Sequence, residues 1–507
     1  MWIAGFTGDF VLMTISAPVS GKLRIEGLDL LRGFALLGIA IVNALQLFRP
    51  EWLANQPIAL APGEDGQNTA FLFIESLFMS KFFTMFTLLF GLGFGLQYDK
   101  GSENFSRIYP RRLLVLAVMG ILHSRYLYWA DVLFMYACAG VFLFLARKWS
   151  ATRKIQVGAG LLLCCLVWFY GLTAYSGLPI LFYLAGFTTV ALVLYFCRNL
   201  SATPYTAIWF LLLAGFLITR SLQGQMEPFN LETVNAQKAV AAELRQNAPE
   251  MTLLGNSYTL PLEDNIIADV IETGPREDFT RIEQYVFSEG TLAQTVEVRK
   301  RHFSRLLFMD LVMFHWRITA LFLIAAGLMQ WGILNPEHRN LRIKCAWTGL
   351  VLGLPLSVFS TFLSQGWIKS LSQYATSGVF IHEFSSILIA MGAGCLVFLW
   401  AERGLFSSIR GILTSAGRLA LSNYIGQSLV MSLLACGYGL GLYGKLSMWE
   451  LVGLSTAVFV TLALLSALWL KRFTMGPLEW LWRCLTYWQL FPLIRKNGPR
   501  SSSGAGA

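Results

Sequence analysis

The sequence predicts an all-α fold: a polytopic transmembrane helix bundle of about twelve spans with one extracytoplasmic polar helical insertion. Three observations predict it. Of 507 residues, 55% are hydrophobic and only 13% are charged, where a soluble domain carries about 25% charged residues. Apolar runs of about 17–25 residues recur between short charged loops, the length a helix needs to cross a bilayer. Lys and Arg gather in alternate loops, so the net charge of +10 reads as membrane topology and excludes nucleic acid as the partner.

The first span is Leu28–Leu47, with Arg32 one turn inside it and Asn43 near its far end. Thr69–Ser80, carrying Glu75, is expected as a helix lying at the interface. Lys81–Tyr98 forms the second span, and its run Gly91–Gly95 suits close helix packing. Arg111–Tyr128 and Asp131–Ala146 form a tight helical hairpin, with His123, Arg125, Tyr126, Tyr128, Trp129 and Asp131 gathered at the turn. Further spans are expected at Ile155–Tyr175, Leu178–Cys197 and Tyr205–Thr219. Residues 1–220 thus make an N-terminal bundle of about seven spans.

Residues 221–304 break this pattern, with 13 Asp and Glu against seven Lys and Arg. They read as an extracytoplasmic polar segment, helical in composition and interrupted at Gly255, Pro261 and Gly274-Pro275. Residues 305–490 supply about five more spans, at Trp316–Leu334, Cys345–Leu363, Val379–Trp400, Leu419–Leu440 and Trp449–Leu470. Residues 491–507 read as a disordered cytoplasmic tail. Met1–Ser20 lacks a basic leader and is a poor signal peptide. Loop charge places both termini in the cytoplasm. The eight cysteines lie in or beside apolar runs without a CxxC pair, so neither a disulfide framework nor a metal site is expected.

Ionisable residues inside lipid mark candidate sites. On this topology His123, Asp131, Asn43, Glu75, Lys81, His315, Arg317, His382 and Glu383 fall toward the outer half. Arg32, Arg111, Arg112, Arg418, Asn423 and Gln427 fall toward the inner half. His123 is the candidate for proton transfer, with Asp131 across the turn as its orienting carboxylate. The competing reading makes it a histidine that satisfies the hairpin at headgroup level. Asn423 and Gln427 share a helix face, which serves either a site or an interhelical hydrogen-bond seam. His315 and Arg317 open a span, where interfacial anchoring competes with chemistry, and His382-Glu383 reads as a structural or loop-capping pair. Glu75 and Lys81, six residues apart, are too far in sequence for a one-turn helical pair.

Five blocks resemble the YeiB-like bacterial inner-membrane proteins, a family of unknown function. They are Asp29-Leu-Leu-Arg-Gly through Asn43, Lys81-Phe-Phe-Thr-Met-Phe through Gly91, the Arg111…His123…Trp129-Ala-Asp131…Tyr136 hairpin, Gly417-Arg418…Ser422-Asn423-Tyr424…Gln427, and Gly476-Pro-Leu-Glu-Trp-Leu-Trp-Arg483. That family is similar in turn to transmembrane acyltransferases, through the Arg-Gly pair on the first span. In acyltransferase-3 enzymes a basic residue precedes a His at a spacing that here joins Arg32 to Asn43. The departure leaves His123 as the candidate base.

The resemblance implies an acyltransferase with no tightly bound cofactor and with acyl-CoA as co-substrate. Arg32, Arg111, Arg112 and Arg418 suit its phosphates, and Asn43 or Asn423 the donor carbonyl. The acceptor is expected to be an envelope glycan or a membrane lipid. A transporter or lipid-handling protein with a His123–Asp131 proton relay is the alternative, and a structural or sensory component with the acidic segment as its binding surface is a third.

Overall fold

The computed structural model describes residues 26–54, 56, 58, 67–98, 105–174, 231–246, 250–309, 315–365, 367–368, 370 and 375–495. Helix α1 (Glu26–Phe48) is the hub. It carries acidic residues in its first turn, where they favour the helix dipole, and most of its apolar residues are buried. It packs against α4 (Lys81–Tyr98), α15 (Ala375–Arg403), α16 (Ser407–Arg418), α17 (Ala420–Ala435) and α18 (Met448–Arg472).

The contact of α1 with α16 is backbone on backbone. A methyl group at Gly33 would run into the Leu413 carbonyl, and one at Gly417 into the Asp29 carbonyl. Small residues at a crossing let two helices gain van der Waals contact that lipid cannot supply. A second such seam joins α4 to α12 (His315–Gln330), where Gly91 and Gly95 lie on Phe322, Ala325 and Met329. The Gly91–Gly95 run is therefore a packing surface, as its composition predicted. Helix α12 also packs on α7 (Ala151–Ala174).

Between α1 and α4 come two short helices, α2 (Glu51–Ala54) and α3 (Gln67–Leu77). Through the turn at Phe78–Ser80, α3 leads into α4, and the two make one apolar stretch, Thr69–Tyr98. Helices α5 (Phe105–Tyr126) and α6 (Leu133–Leu145) form the expected hairpin.

The polar segment holds α8 (Leu231–Leu244), α9 (Asp264–Thr273), α10 (Arg276–Glu289) and α11 (Leu292–Met309). It is not wholly helical. Strands β1 (Glu250–Leu253) and β2 (Asn256–Thr259) pair antiparallel about Leu254-Gly255, both at positive φ, the backbone a two-residue β-turn requires. Gly274-Pro275 separates α9 from α10, as expected.

The span expected at Cys345–Leu363 is built from α13 (Arg339–Thr348), a π-helical turn and α14 (Leu354–Ser364). The span expected at Leu419–Leu440 starts as a break instead, because Arg418 ends α16 and α17 begins at Ala420. The amphipathic α19 (Pro477–Tyr487) follows α18.

Five stretches among the described residues are long and apolar enough to cross a membrane: Glu26–Phe48, Thr69–Tyr98, Pro336–Ser364, Ile381–Arg403 and Met448–Arg472. Helices α6, α12 and α17 have 13, 16 and 16 residues, fewer than the roughly 20 a bilayer core needs. The spans expected at Leu178–Cys197 and Tyr205–Thr219 lie outside the described residues. Large apolar side chains are exposed along α5 (Leu114, Val118, Leu122), near the π turn (Trp347, Val351, Phe359) and on α18 (Leu464, Leu465, Leu468). A soluble monomer rarely exposes apolar surface on this scale. The chain is a helical membrane protein.

The Gly417→Val substitution forces the α1–α16 crossing apart. Thermal unfolding in detergent is expected to show a loss of at least about 1–3 kcal/mol, whereas valine at Gly453, which meets nothing nearby, leaves the midpoint in place. Equal effects at the two positions would contradict the crossing.

Candidate functional site

The α5–α6 hairpin closes on a buried pair. Nδ1 of His123 lies 2.8 Å from Oδ1 of Asp131, and both side chains are buried. The other Asp131 oxygen accepts from the Phe134 amide at 3.0 Å, so one carboxylate fastens the start of α6 to the end of α5. Gly120 permits this, since a methyl group there would strike the Phe134 nitrogen and Asp131 Oδ2.

With Asp131 as the acceptor, Nδ1 of His123 is a donor and Nε2 points away from the carboxylate. Nε2 is buried with no hydrogen-bond partner among the described residues. A buried orphan of this kind calls for a ligand or water. Two tyrosines flank the ring. Tyr424 packs on it with centroids 5.0 Å apart, its hydroxyl 3.5 Å from Asp131 Oδ1. Tyr128 lies edge-on and donates to Asn43 at 3.2 Å and to Gln46.

Next to this pair lies a cavity of about 290 Å³. Arg32, Arg112 and Arg418 line one end, and Tyr136 and Tyr424 line the other. Along α1 it runs from Asp29 to Ile39, about 15 Å at 1.5 Å per residue. Its body is apolar, with Phe86, Phe90 and Leu116 on the wall. Each arginine is held in place. Arg32 pairs with Asp29 at 2.8 Å, as the sequence implied. Arg112 donates to Gln97 at 2.8 Å and lies 4.2 Å over the Trp482 ring. Arg418 reaches the Thr474 carbonyl at 3.4 Å.

A smaller cavity of about 40 Å³ lies toward the hairpin end, lined by Asn43, Ser80 and Phe83 among others. It shares Ile39, Val132, Tyr136 and Tyr424 with the larger one.

Residues 328–489 match the family described as Protein of unknown function (DUF418). It is 24% identical to the uncharacterized protein YxaH of Bacillus subtilis over 96% of this chain and the whole of that protein. It is 30% identical to the uncharacterized protein YeiB of Escherichia coli over 36% of this chain and 47% of that protein. An uncharacterized protein of Bacillus acidopullulyticus is 36% identical over 22% of this chain and 31% of its own length. These findings bear out the YeiB-like resemblance. No solved structure matches the chain significantly. The DUF418 region supplies Arg418, Tyr424 and Trp482, while Arg32, Arg112, His123 and Asp131 precede it.

Several expected site residues go elsewhere. Arg111 is exposed, because one helical step turns it off the face that carries Arg112 into the cavity. Asn423 is absorbed by the α16–α17 break, donating to Ala416, Leu419 and Ser466 at 2.9–3.0 Å. It does not line the cavity. Gln427 is buried, without a side-chain hydrogen-bond partner among the described residues, and lines neither cavity. Asn43 belongs to the smaller cavity, away from the arginines.

Glu75, Lys81, Arg317 and Glu383 do converge, together with His382. Lys81 Nζ donates to the Glu75 carbonyl at 2.7 Å and lies 3.4 Å from His382 Nε2. His382 Nδ1 is 3.6 Å from Glu75 Oε1. Arg317 pairs with Glu383 at 2.9 Å and donates to Thr84 at 2.7 Å. Glu383 also accepts from Ser80 Oγ in the turn before α4 at 3.2 Å, so His382-Glu383 both holds that turn and completes a buried charge cluster. His315 stands apart, against Phe142 and Trp316.

Sequence reasoning missed Gln97, Tyr424, Glu479 and Trp482 as site residues. The last three lay inside quoted family blocks, and Glu479 accepts from the Leu421 and Ser422 amides at 2.7 and 3.0 Å to cap α17.

It also missed the docking of the polar segment. Arg299, buried, donates to the Tyr126 carbonyl and to Ser432 Oγ, each at 2.6 Å. His302 is clamped between Glu51 (3.0 Å) and Glu283 (3.1 Å) and stacks on Trp129 of the hairpin at 4.7 Å. Burial alone would lower its pKa, but the two carboxylates outweigh that and hold it up at about 9.

The raised value means that His302 strengthens docking fully below its ordinary pKa of about 6.5 and loses that contribution as pH rises through about 9. Protease protection of residues 250–309 is therefore expected to weaken as pH rises from 6.5 past about 9. The same titration in His302→Gln is expected to lack that transition; an identical transition would refute the clamp.

Proposed function

We propose that this protein is a membrane-embedded acyltransferase that moves an acyl group from a cytosolic acyl-CoA to a hydroxyl or amine of an extracytoplasmic glycan or lipid. The observation that carries this reading is the cavity that joins three arginines to a tyrosine in contact with His123–Asp131. Arg32, Arg112 and Arg418 bind the donor phosphates as charge-assisted hydrogen-bond donors, and the apolar body takes the acyl chain. His123 Nε2 accepts the acceptor's proton, and Asp131 stabilises the imidazolium that results. The acceptor oxygen or nitrogen bonds to the acyl carbon as the carbon–sulfur bond breaks, and the thiolate takes up a proton. This reading puts the arginine end at the cytoplasm, in keeping with the loop charges of a roughly twelve-span bundle in the bacterial inner membrane.

The buried cluster of Glu75, Lys81, His382, Glu383 and Arg317 favours a second reading, a transporter or lipid-handling protein with a proton relay.

Purified protein in liposomes of envelope lipid, given labelled acetyl-CoA, is expected to yield a labelled lipid or glycan. His123→Ala is expected to cut that rate by about 10²–10⁴-fold while still binding the donor. Absence of any acyl product from envelope lipid and glycan pools would overturn the enzyme reading. Solute uptake into the same liposomes without a covalent product would favour the transporter.

A further inference from the structure

We infer that Tyr136 and Tyr424 form a fixed floor that sets how long an apolar tail the arginine-headed cavity accepts, so that its ligands are anions with short tails. The inference rests on the donor site proposed above and names the class of donor it selects. Both tyrosines line the larger cavity and the smaller one. They and two aliphatic side chains, Ile39 and Val132, are all that the two cavities have in common. The two cavities therefore meet at these four side chains.

The floor is braced from behind. The Tyr136 hydroxyl is 2.8 Å from Thr87 Oγ1 and donates to the Phe83 carbonyl at 3.4 Å. Its ring packs edge-on against Phe322 at 5.4 Å and stacks with Phe86 at 6.3 Å. Tyr424 is braced by Asp131 and by the His123 ring. Both tyrosines are buried, at 1% and 3% exposure. Rings so held cannot swing aside without leaving buried hydroxyls unpaired, which costs about 1–3 kcal/mol each.

Ahead of the floor, the cavity lining on α1 runs from Asp29 to Ile39, about 15 Å. The head of a ligand occupies the arginine end, because a phosphate is bound where charge-assisted donors converge. An alkyl tail starting there ends at the two rings, and the pantetheine arm of an acyl-CoA takes up most of the same length, which leaves room for a short acyl group alone. Long chains must break the wall or stay out.

The test is isothermal titration of detergent-purified protein with two homologous series, acyl-CoAs from acetyl to palmitoyl and n-alkyl phosphates from butyl to hexadecyl. In the wild type, affinity is expected to fall at least tenfold between short and long members. Tyr136→Ala joins the two cavities and is expected to move the fall to longer chains. Ile39→Ala, a milder opening of the same wall, is expected to move it less, which keeps the test sharp if the tyrosine variant fails to fold. Tyr136→Phe keeps the ring but loses its hydroxyl brace, and is expected to move the fall less than Tyr136→Ala does.

An unchanged cut-off in the opened variants, or a wild type that binds palmitoyl-CoA as well as acetyl-CoA, overturns the floor. A cut-off seen with alkyl phosphates but no binding of any acyl-CoA upholds the floor and overturns the acyl-CoA donor instead.

Discussion

A charged side chain inside lipid has to be paired, and that constraint accounts for where this chain keeps its polar groups. Asp131 answers it for the hairpin, holding His123 with one oxygen and the first turn of α6 with the other. Asp29 answers it for Arg32 on α1. Glu383 answers it for Arg317, and the Glu75 carbonyl for Lys81. Each pairing joins separate helices or separate turns, so satisfying the charge also fixes the packing. What remains unsatisfied then stands out. The Nε2 atom of His123 is buried beside two tyrosines with no described partner, and its neighbour Tyr424 opens onto both cavities.

Much of this was legible in residue order. Apolar length marked α1, α4, α15 and α18, because lipid fixes how long a crossing helix has to be. The eight residues from His123 to Asp131 showed the hairpin and its pair, since a turn that short brings its flanks together. Gly91 and Gly95 read as packing glycines and proved to be so.

Other features were hidden because they depend on partners distant in sequence. Nothing near Arg112 says that Gln97 and Trp482 will hold it. Arg111 and Arg112 look equivalent until the helix phase is known. The helix that ends at Arg418 was not foreseen, and the cap of the next one, Glu479, lies far along the chain. His382-Glu383 looked like a structural or loop-capping pair, and only the fold shows α3, α4 and α12 delivering Glu75, Lys81 and Arg317 to it. The polar segment gave its composition away but not its anchor, Arg299, nor the carboxylate clamp on His302.

The arrangement as a whole is polar at both ends of one bundle, with an apolar cavity between. Three arginines head that cavity, two braced tyrosines close it, and the histidine pair lies one ring beyond. The claim on which the functional reading turns is that the arginine end binds an anionic donor. The most direct measurement is isothermal titration of the purified protein with acetyl-CoA, wild type beside Arg32→Ala. The account predicts saturable binding by the wild type and a loss of at least tenfold in the variant. Equal binding by the two proteins, or none by the wild type, would contradict it.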